Sequence, residues 1–391
     1  MLLAEVSMES IGVNSNVYAG GKVFHIQTAG NLSSLLVKAE IFDSGRIVTV
    51  HQKKLDPEQY KYLDTDRFRD VVAAFHQDIA WEIELLFFIR DRIKTIKHAV
   101  SSNKIGLLFL HKGLVDEAIA EFENAITINP QMVESYRNLG LAFVEKKETQ
   151  KAIEVLHKAI ELEPRYADLH NSLGLAYALN GELDTALQTY ETALAINPNY
   201  LEVHLNIGMV ILRMHAERFQ SAVFAPSSIK PTRVINELQK LMNARTEFIN
   251  YRFFSFRFEK AIRQIQDNDF LAAILTLKDI REATQTPNLD ETMHGFYLKF
   301  LFGGAGKDEK VLGEYRARLE KSVEEHPHFA DLHNSLGVVY LIQCRNLFIK
   351  AMSAFKKAYE INPSYKSAYK NFRLVQNDGR EFLNLLRAIL K

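Results

Sequence analysis

The chain is nearly free of cysteine, with one thiol, Cys344, in 391 residues. That excludes an intrachain disulfide framework and points to a reducing compartment. An excess of either charge is also missing. Lys plus Arg is 48 and Asp plus Glu is 48, so no global field draws the protein to nucleic acid or to an anionic membrane. Long apolar runs are absent, and the densest patch, Leu85–Ile89, is far short of a membrane span. The first residues, Met1-Leu2-Leu3-Ala4-Glu5, have no basic start and no long apolar stretch, which makes a poor signal peptide. A soluble cytoplasmic protein is the expectation. No HExxH, GxSxG or CxxC signature occurs, so neither catalysis nor a bound cofactor or metal is expected. Hydrophobic residues still make up 47%, ample for a buried core.

What the chain does have is a proline that returns every 34 residues, at Pro130, Pro164 and Pro198. Ahead of each, the same residue types recur. Gly106, Phe109, Ala118, Phe122 and Ala125 are answered by Gly140, Phe143, Ala152, Leu156 and Ala159, then by Gly174, Tyr177, Ala186, Tyr190 and Ala193. Apolar residues at three- and four-residue steps make each unit two helices. Gly within a helix costs roughly 1 kcal/mol against Ala, a cost that close approach of the partner helix offsets. The prolines stop the second helix. Lys112-Gly113, Lys146-Lys147 and Asn180-Gly181 fill the turns between helices. No single pair buries its apolar face alone, so the units must stack. Downstream, Ala330–Gly337 repeats Ala167–Gly174 letter for letter, and Tyr340, Ala351, Phe355, Ala358 and Pro363 follow. There the phrase Gln343–Asn346 is expected to be a turn with a two-residue insertion.

Period and positions resemble the tetratricopeptide repeat family, over about 99–213 and 330–376. The resemblance implies a mostly α fold, a right-handed solenoid of helical hairpins. Units are expected at 99–132, 133–166 and 167–200, with a degenerate one at 201–231. A second degenerate helical block spans 232–329, and a repeat with capping helices spans 330–391. Residues 1–56 differ in kind. Phe24 and Ile26, then Val37, Ala39 and Ile41, then Val48 and Val50 alternate with mostly polar neighbours. Gly20-Gly21 and Asp43-Ser44-Gly45 read as hairpin turns. A small antiparallel β module of three or four strands is predicted, too small to stand alone. Its apolar face should pack on the next helix, on the first repeat or on a second copy, making a homodimer through this module a further expectation. Asp66 to about Lys97, within 57–98, is predicted as one long helix. Arg233 to about Gln266 is predicted as another, following a hinge at Ala225–Pro231.

Several residues invite chemistry. Gly306-Lys307 lacks the glycine and hydroxyl residue of a phosphate loop, since Leu301 and Asp308 stand in those places. His326 and His328 have no further ligands in step. His170, His204 and His333 fall where the resembled family packs an aromatic group. Phe248–Phe258 interleaves aromatics with Arg252 and Arg257, so a nucleic-acid surface is weighed against a core stripe, and the core stripe is preferred.

The resemblance also implies that the first helix of each unit lines a concave groove. Carried over residue by residue, Asn103, Lys104, Arg137, Asn138, Asn171, Ser172 and Asn206 face into it, over an apolar floor of Leu107, Leu141, Leu175 and Met209. Relatives hold an extended peptide by asparagine, whose amide offers both donors and an acceptor. Asn138 and Asn206 match that place, whereas Ser172 and Lys104 depart from it. Glu134, Asp168 and Glu202 on one rim favour a basic ligand, although acids at a helix N-terminus are also stabilised by its dipole. A protein or peptide partner in this groove is the leading expectation. The alternative is a regulatory subunit whose two repeat blocks close around a partner.

Overall fold

The computed structural model describes residues 10–57, 64–218, 229–243, 251–284, 309–325, 330–364, 366–374 and 376. The chain divides into two compact units, Met1–Asn288 and Leu289–Lys391.

The first unit opens with a four-stranded antiparallel meander, β1 (Ser10–Ala19), β2 (Lys22–Asn31), β3 (Leu36–Asp43) and β4 (Arg46–Lys54). Both sequence-read turns form, with Gly20, Gly21, Ser44 and Gly45 at positive φ. Alternation puts Val17, Phe24, Ile26, Val37, Ala39 and Ile41 on a buried face. Val50 does not join them. A register shift between Ile41 and Phe42 pairs Thr49 with Ile41 and turns Val50 outward opposite Glu40.

The buried face lies on α1 (Thr65–Ile96), the predicted long helix. Asp64 caps it, accepting from the Arg67 amide at 2.8 Å. His76 bridges the layers, 2.8 Å from Ser15 Oγ and 2.9 Å from Thr28 Oγ1. An aromatic run then leads to the repeats, with Phe24 5.4 Å from Phe87 and Phe87 5.1 Å from Phe109. Lys22 reaches Glu117 at 2.6 Å, Lys112 reaches Glu82 at 3.1 Å, and the Gly113 turn packs on Thr49. The sheet's apolar face is thus covered within the chain by α1 and the first repeat, and does not offer itself to a second copy.

Three hairpins follow. They are α2 (Ala99–His111) with α3 (Val115–Ile128), α4 (Val133–Glu145) with α5 (Thr149–Leu162), and α6 (Ala167–Asn180) with α7 (Leu183–Ile196). Each turn carries a left-handed residue, Gly113, Lys147 and Gly181, at the 34-residue spacing. Such a residue ends a helix. Each leading glycine meets the second helix. A Cβ on Gly106, Gly140 or Gly174 would sit 2.6 Å from Phe122, Leu156 or Tyr190 respectively.

The fourth unit is built differently. The position that is left-handed in the earlier repeats holds His215, and α8 (Leu201–Arg218) runs on through it. α9 (Pro231–Asn243), α10 (Tyr251–Gln266) and α11 (Phe270–Thr284) follow. Arg233 to Gln266 is therefore not one helix, since α9 and α10 pack side by side. α11 takes the place of α8's missing second helix. A Cβ on Gly208 would sit 3.2 Å from Leu277, with Val234 of α9 equally close. Ala273, Leu277 and Ile280 repeat the spacing of Ala186, Tyr190 and Ala193, and all six are buried in one core with α8. Consequently 99–231 and 232–329 are not separate blocks. Core sharing joins α9–α11 to the repeats, and the break between units falls at 288/289.

In the second unit, α12 (Glu309–Glu325) packs on α13 (Ala330–Ile361) through Leu312, Leu319, Val339 and Ile342. α13 is one continuous helix. The hairpin expected at 330–363, with a turn at Gln343–Asn346, does not form. Cys344 stands where Gly113 and Gly181 make the left-handed turn, and no described atom lies within 4 Å of a Cβ built on Gly337. The phrase shared with α6 thus lacks, among the described residues, the partner helix that its glycine accommodates there.

Candidate functional site

The leading helices α2, α4, α6 and α8 lie side by side, so equivalent positions fall in rows along one face. One row is apolar. Leu107, Leu141, Leu175 and Met209 are each half-buried, leaving part of each side chain to solvent.

The amide row is more engaged than the sequence suggested. Asn103, Asn138, Asn171, Ser172 and Asn206 are all buried. Asn138 donates through Nδ2 to Asn103 Oδ1 at 3.0 Å, and Asn206 donates likewise to Asn171 Oδ1 at 2.8 Å. Each bond crosses from one repeat to the next. Ser172 Oγ donates back to the Asp168 carbonyl at 2.8 Å, a bond local to its own helix. Asn171 Nδ2 also donates to Glu202 Oε1 at 3.2 Å. Arg281 of α11 donates through Nη1 to Asn206 Oδ1 at 3.0 Å. Asn171 and Asn206 therefore hold the repeats together. The asparagine expected to grip a ligand at 206 already has partners on both its oxygen and its nitrogen.

The remaining polar groups gather around α4. Arg137 is half-buried, and its Nε has no hydrogen-bond partner among the described residues. Tyr166 and Tyr200, one repeat apart, lie near it. Burial raises both phenol pKa values, and the Asp168 carboxylate adds to the rise while Arg137 opposes it. Lys104 on α2 is half-buried, and burial lowers its pKa. Of the rim acids, Glu134 is exposed, whereas Asp168 and Glu202 are drawn in beside the tyrosines and Asn171. The face combines an apolar strip, two cations and a tyrosine–carboxylate group.

Other candidates separate from this face. His170 and His204 lie with Nε2 2.9 Å from the Pro164 and Pro198 carbonyls, so each fastens the turn ahead of its helix. His333 is exposed. On α10, Phe258 is 1% exposed and belongs to the core, while Phe256 is exposed and Arg257 half-buried. Phe258 thus takes a core position, and Phe256 and Arg257 do not. The side chains of Arg252, Phe253 and Phe254 lie outside the described residues, as do Gly303–Lys307, His326–Pro327–His328 and most of the expected hinge at 225–231. Sequence reasoning missed Arg281, Tyr166 and Tyr200. The two tyrosines carry a readable signal, their 34-residue spacing, whereas nothing in the sequence ties Arg281 to Asn206.

Comparison with family models matches a TPR repeat model to residues 106–147 and 140–181, and a tetratricopeptide repeat model to 167–200. No curated protein matches. Among solved structures, MamA is similar at 22% identity and TM-score 0.36, over 47% of this chain and 99% of its own. TTC0263, a thermophilic TPR protein in Thermus thermophilus, is similar at 20% identity and TM-score 0.36, over 52% and 95%. The first TPR of Spaghetti (RPAP3) bound to the HSP90 peptide SRMEEVD is similar at 22% identity and TM-score 0.29, over 30% and 92%.

Proposed function

We propose that this tetratricopeptide-repeat protein is a non-catalytic cytoplasmic adaptor that binds a peptide or a partner helix along the face of α2, α4, α6 and α8. The observation that carries this reading is the half-buried row Leu107, Leu141, Leu175 and Met209 beside Lys104, Arg137 and Asn138. Apolar side chains of a ligand lie on the row. Its backbone meets Lys104 and Arg137 at the α2–α4 end, because all four asparagines of the face are committed to neighbours. The tyrosine–carboxylate group at Tyr166, Asp168, Tyr200 and Glu202 takes a basic side chain of that ligand. Closure of two repeat blocks around a partner has no counterpart in the shared core of α8 and α11.

A random-peptide display selection against the full chain tests the proposal. Leu141→Asp and Leu175→Asp should each weaken the selected peptides by about 10-fold or more, the loss of one buried leucine contact. Both sites are already part-solvated, so the thermal midpoint should hold. Peptides that bind both variants as well as the parent would move the site elsewhere.

A further inference from the structure

β1 is an edge strand, paired to β2 on one side and to no described strand on the other. Sheet edges are templates for further pairing, and proteins guard them with charge, proline or bulges. β4, the opposite edge, is guarded. It carries Arg46, Lys53 and Lys54, a register shift leaves its Val48 outside the pairing, and the Gly113 turn packs on its Thr49. β1 has no charged residue, no proline and an unbroken register. Ala19 and Lys22 flank a two-residue turn whose Gly20 and Gly21 are both at positive φ, so they form a hydrogen-bonded pair. Bonding to β2 then falls on every second residue, at Val13, Ser15, Val17 and Ala19. Gly12, Asn14, Asn16 and Tyr18 turn N–H and C=O to the open side. All four are exposed, Tyr18 to 75%. On the other face of β1, Ile11 and Val13 pack against the core and stay half-buried.

The order of residues selects the occupant. Turned end for end about Ser15, β1 matches itself on both faces. Val13 of one copy comes opposite Val17 of the other, and Ile11 opposite Ala19, which covers the half-buried side chains at the rim of the core. On the outer face Asn14 comes opposite Asn16. Tyr18 lies across Gly12, where a Cβ would have nothing nearer than the Thr28 carbonyl at 3.9 Å, and an aromatic opposite an edge glycine stabilises the pair. The residues that turn their backbone outward meet only each other, so both copies satisfy the same groups. An axis at Asn14 would instead set Val13 against Ser15. Such self-matching under a twofold axis is what an isologous dimer requires. No charge meets charge along the seam, since β1 has none. We propose that a second copy of this chain adds its β1 to this edge, antiparallel and centred on Ser15, so that the two sheets run on as one.

Sedimentation equilibrium of the full chain should show a dimer. Amide hydrogen exchange carries its signature. Gly12, Asn14, Asn16 and Tyr18 should exchange more slowly as concentration rises, whereas Val13, Ser15 and Val17, already bonded to β2, should be slow throughout. Asn14→Lys with Asn16→Lys sets like charges opposite each other twice across the axis. It should raise the dimer dissociation constant at least ~10-fold, with unchanged circular dichroism. Asn14→Lys with Asn16→Glu keeps the first lysine but meets it with a carboxylate, and should stay within about threefold of the parent. That contrast reads the register, because an axis at Asn14 would oppose the two copies' introduced lysines in both variants. A chain that stays monomeric at about 100 µM overturns the proposal. So does a dimer whose four outward amides exchange as fast as in dilute solution. A dimer that both variants weaken alike, or that neither weakens, overturns it as well.

Discussion

Gly174 and Gly337 end the same eight-residue phrase, yet alanine at the two positions should act in opposite directions. At Gly174 the new Cβ would lie 2.6 Å from Tyr190 Cε1, 2.7 Å from Cδ1 and 3.0 Å from Cγ. Tyr190 is buried to 1% exposure and has no space to turn into. Overpacking of that kind costs about 1–3 kcal/mol, against roughly 1 kcal/mol gained by alanine in a helix. The net is a loss of up to about 2 kcal/mol. At Gly337 no described atom lies within 4 Å of the new Cβ, so only the helix gain of roughly 1 kcal/mol remains. Gly208 falls between, with Leu277 and Val234 at 3.2 Å, and its alanine variant should be near neutral. Because the chain has two compact units, a global midpoint blends them. Native-state hydrogen exchange resolved to α6 and to α13 reads each opening free energy separately. Gly174→Ala should speed exchange in α6 and α7, and Gly337→Ala should slow it in α13. If Gly337→Ala loosens α13 as Gly174→Ala loosens α6, a second helix packs on Gly337 and the continuous α13 is wrong.

Two further outcomes follow from buried polar groups. Burial lowers the His76 pKa in the folded state, so its contribution is fully present above the unfolded value of about 6.5. It is lost as pH falls from there through the folded value. Urea unfolding of the sheet and α1 should show stability declining between pH 7 and 5, and His76→Gln should flatten that decline. Asn138→Ala strands Asn103 Oδ1 in a buried site, which costs about 1–3 kcal/mol. In a cycle with Asn103→Ala the second removal should cost less than the first, leaving a coupling of at least ~0.5 kcal/mol, whereas full additivity would mean the bond contributes nothing.

The three regular hairpins are legible because their determinants are local. The glycine, the small residue opposite it, the left-handed turn and the proline all recur within 34 residues. Lys147 shows how far that reading extends, since it takes the left-handed turn without being glycine. Legibility fails wherever a distant segment decides. The phrase at 330–337 predicts a hairpin, but its glycine meets no described partner and Cys344 continues the helix. The block at 232–329 reads as helical, but the service of its α11 to α8 is hidden, because that pairing is made in space. The groove asparagines fall on the expected face, while their bonds to each other do not follow from the family pattern. The 35-residue offset of Asn103 from Asn138, and of Asn171 from Asn206, is the available clue.

Completion of the fourth repeat by α11 has a temporal side. Each of the first three hairpins has both members in hand as soon as it leaves the ribosome. α8 emerges before α11 is made to pack on it, and the leucine that meets Gly208 is translated about 70 residues later. At 5–20 residues per second, that wait is about 4–14 s. For those seconds the nascent chain ends in an adhesive helix on an otherwise finished stack. Chaperone binding during synthesis should concentrate there.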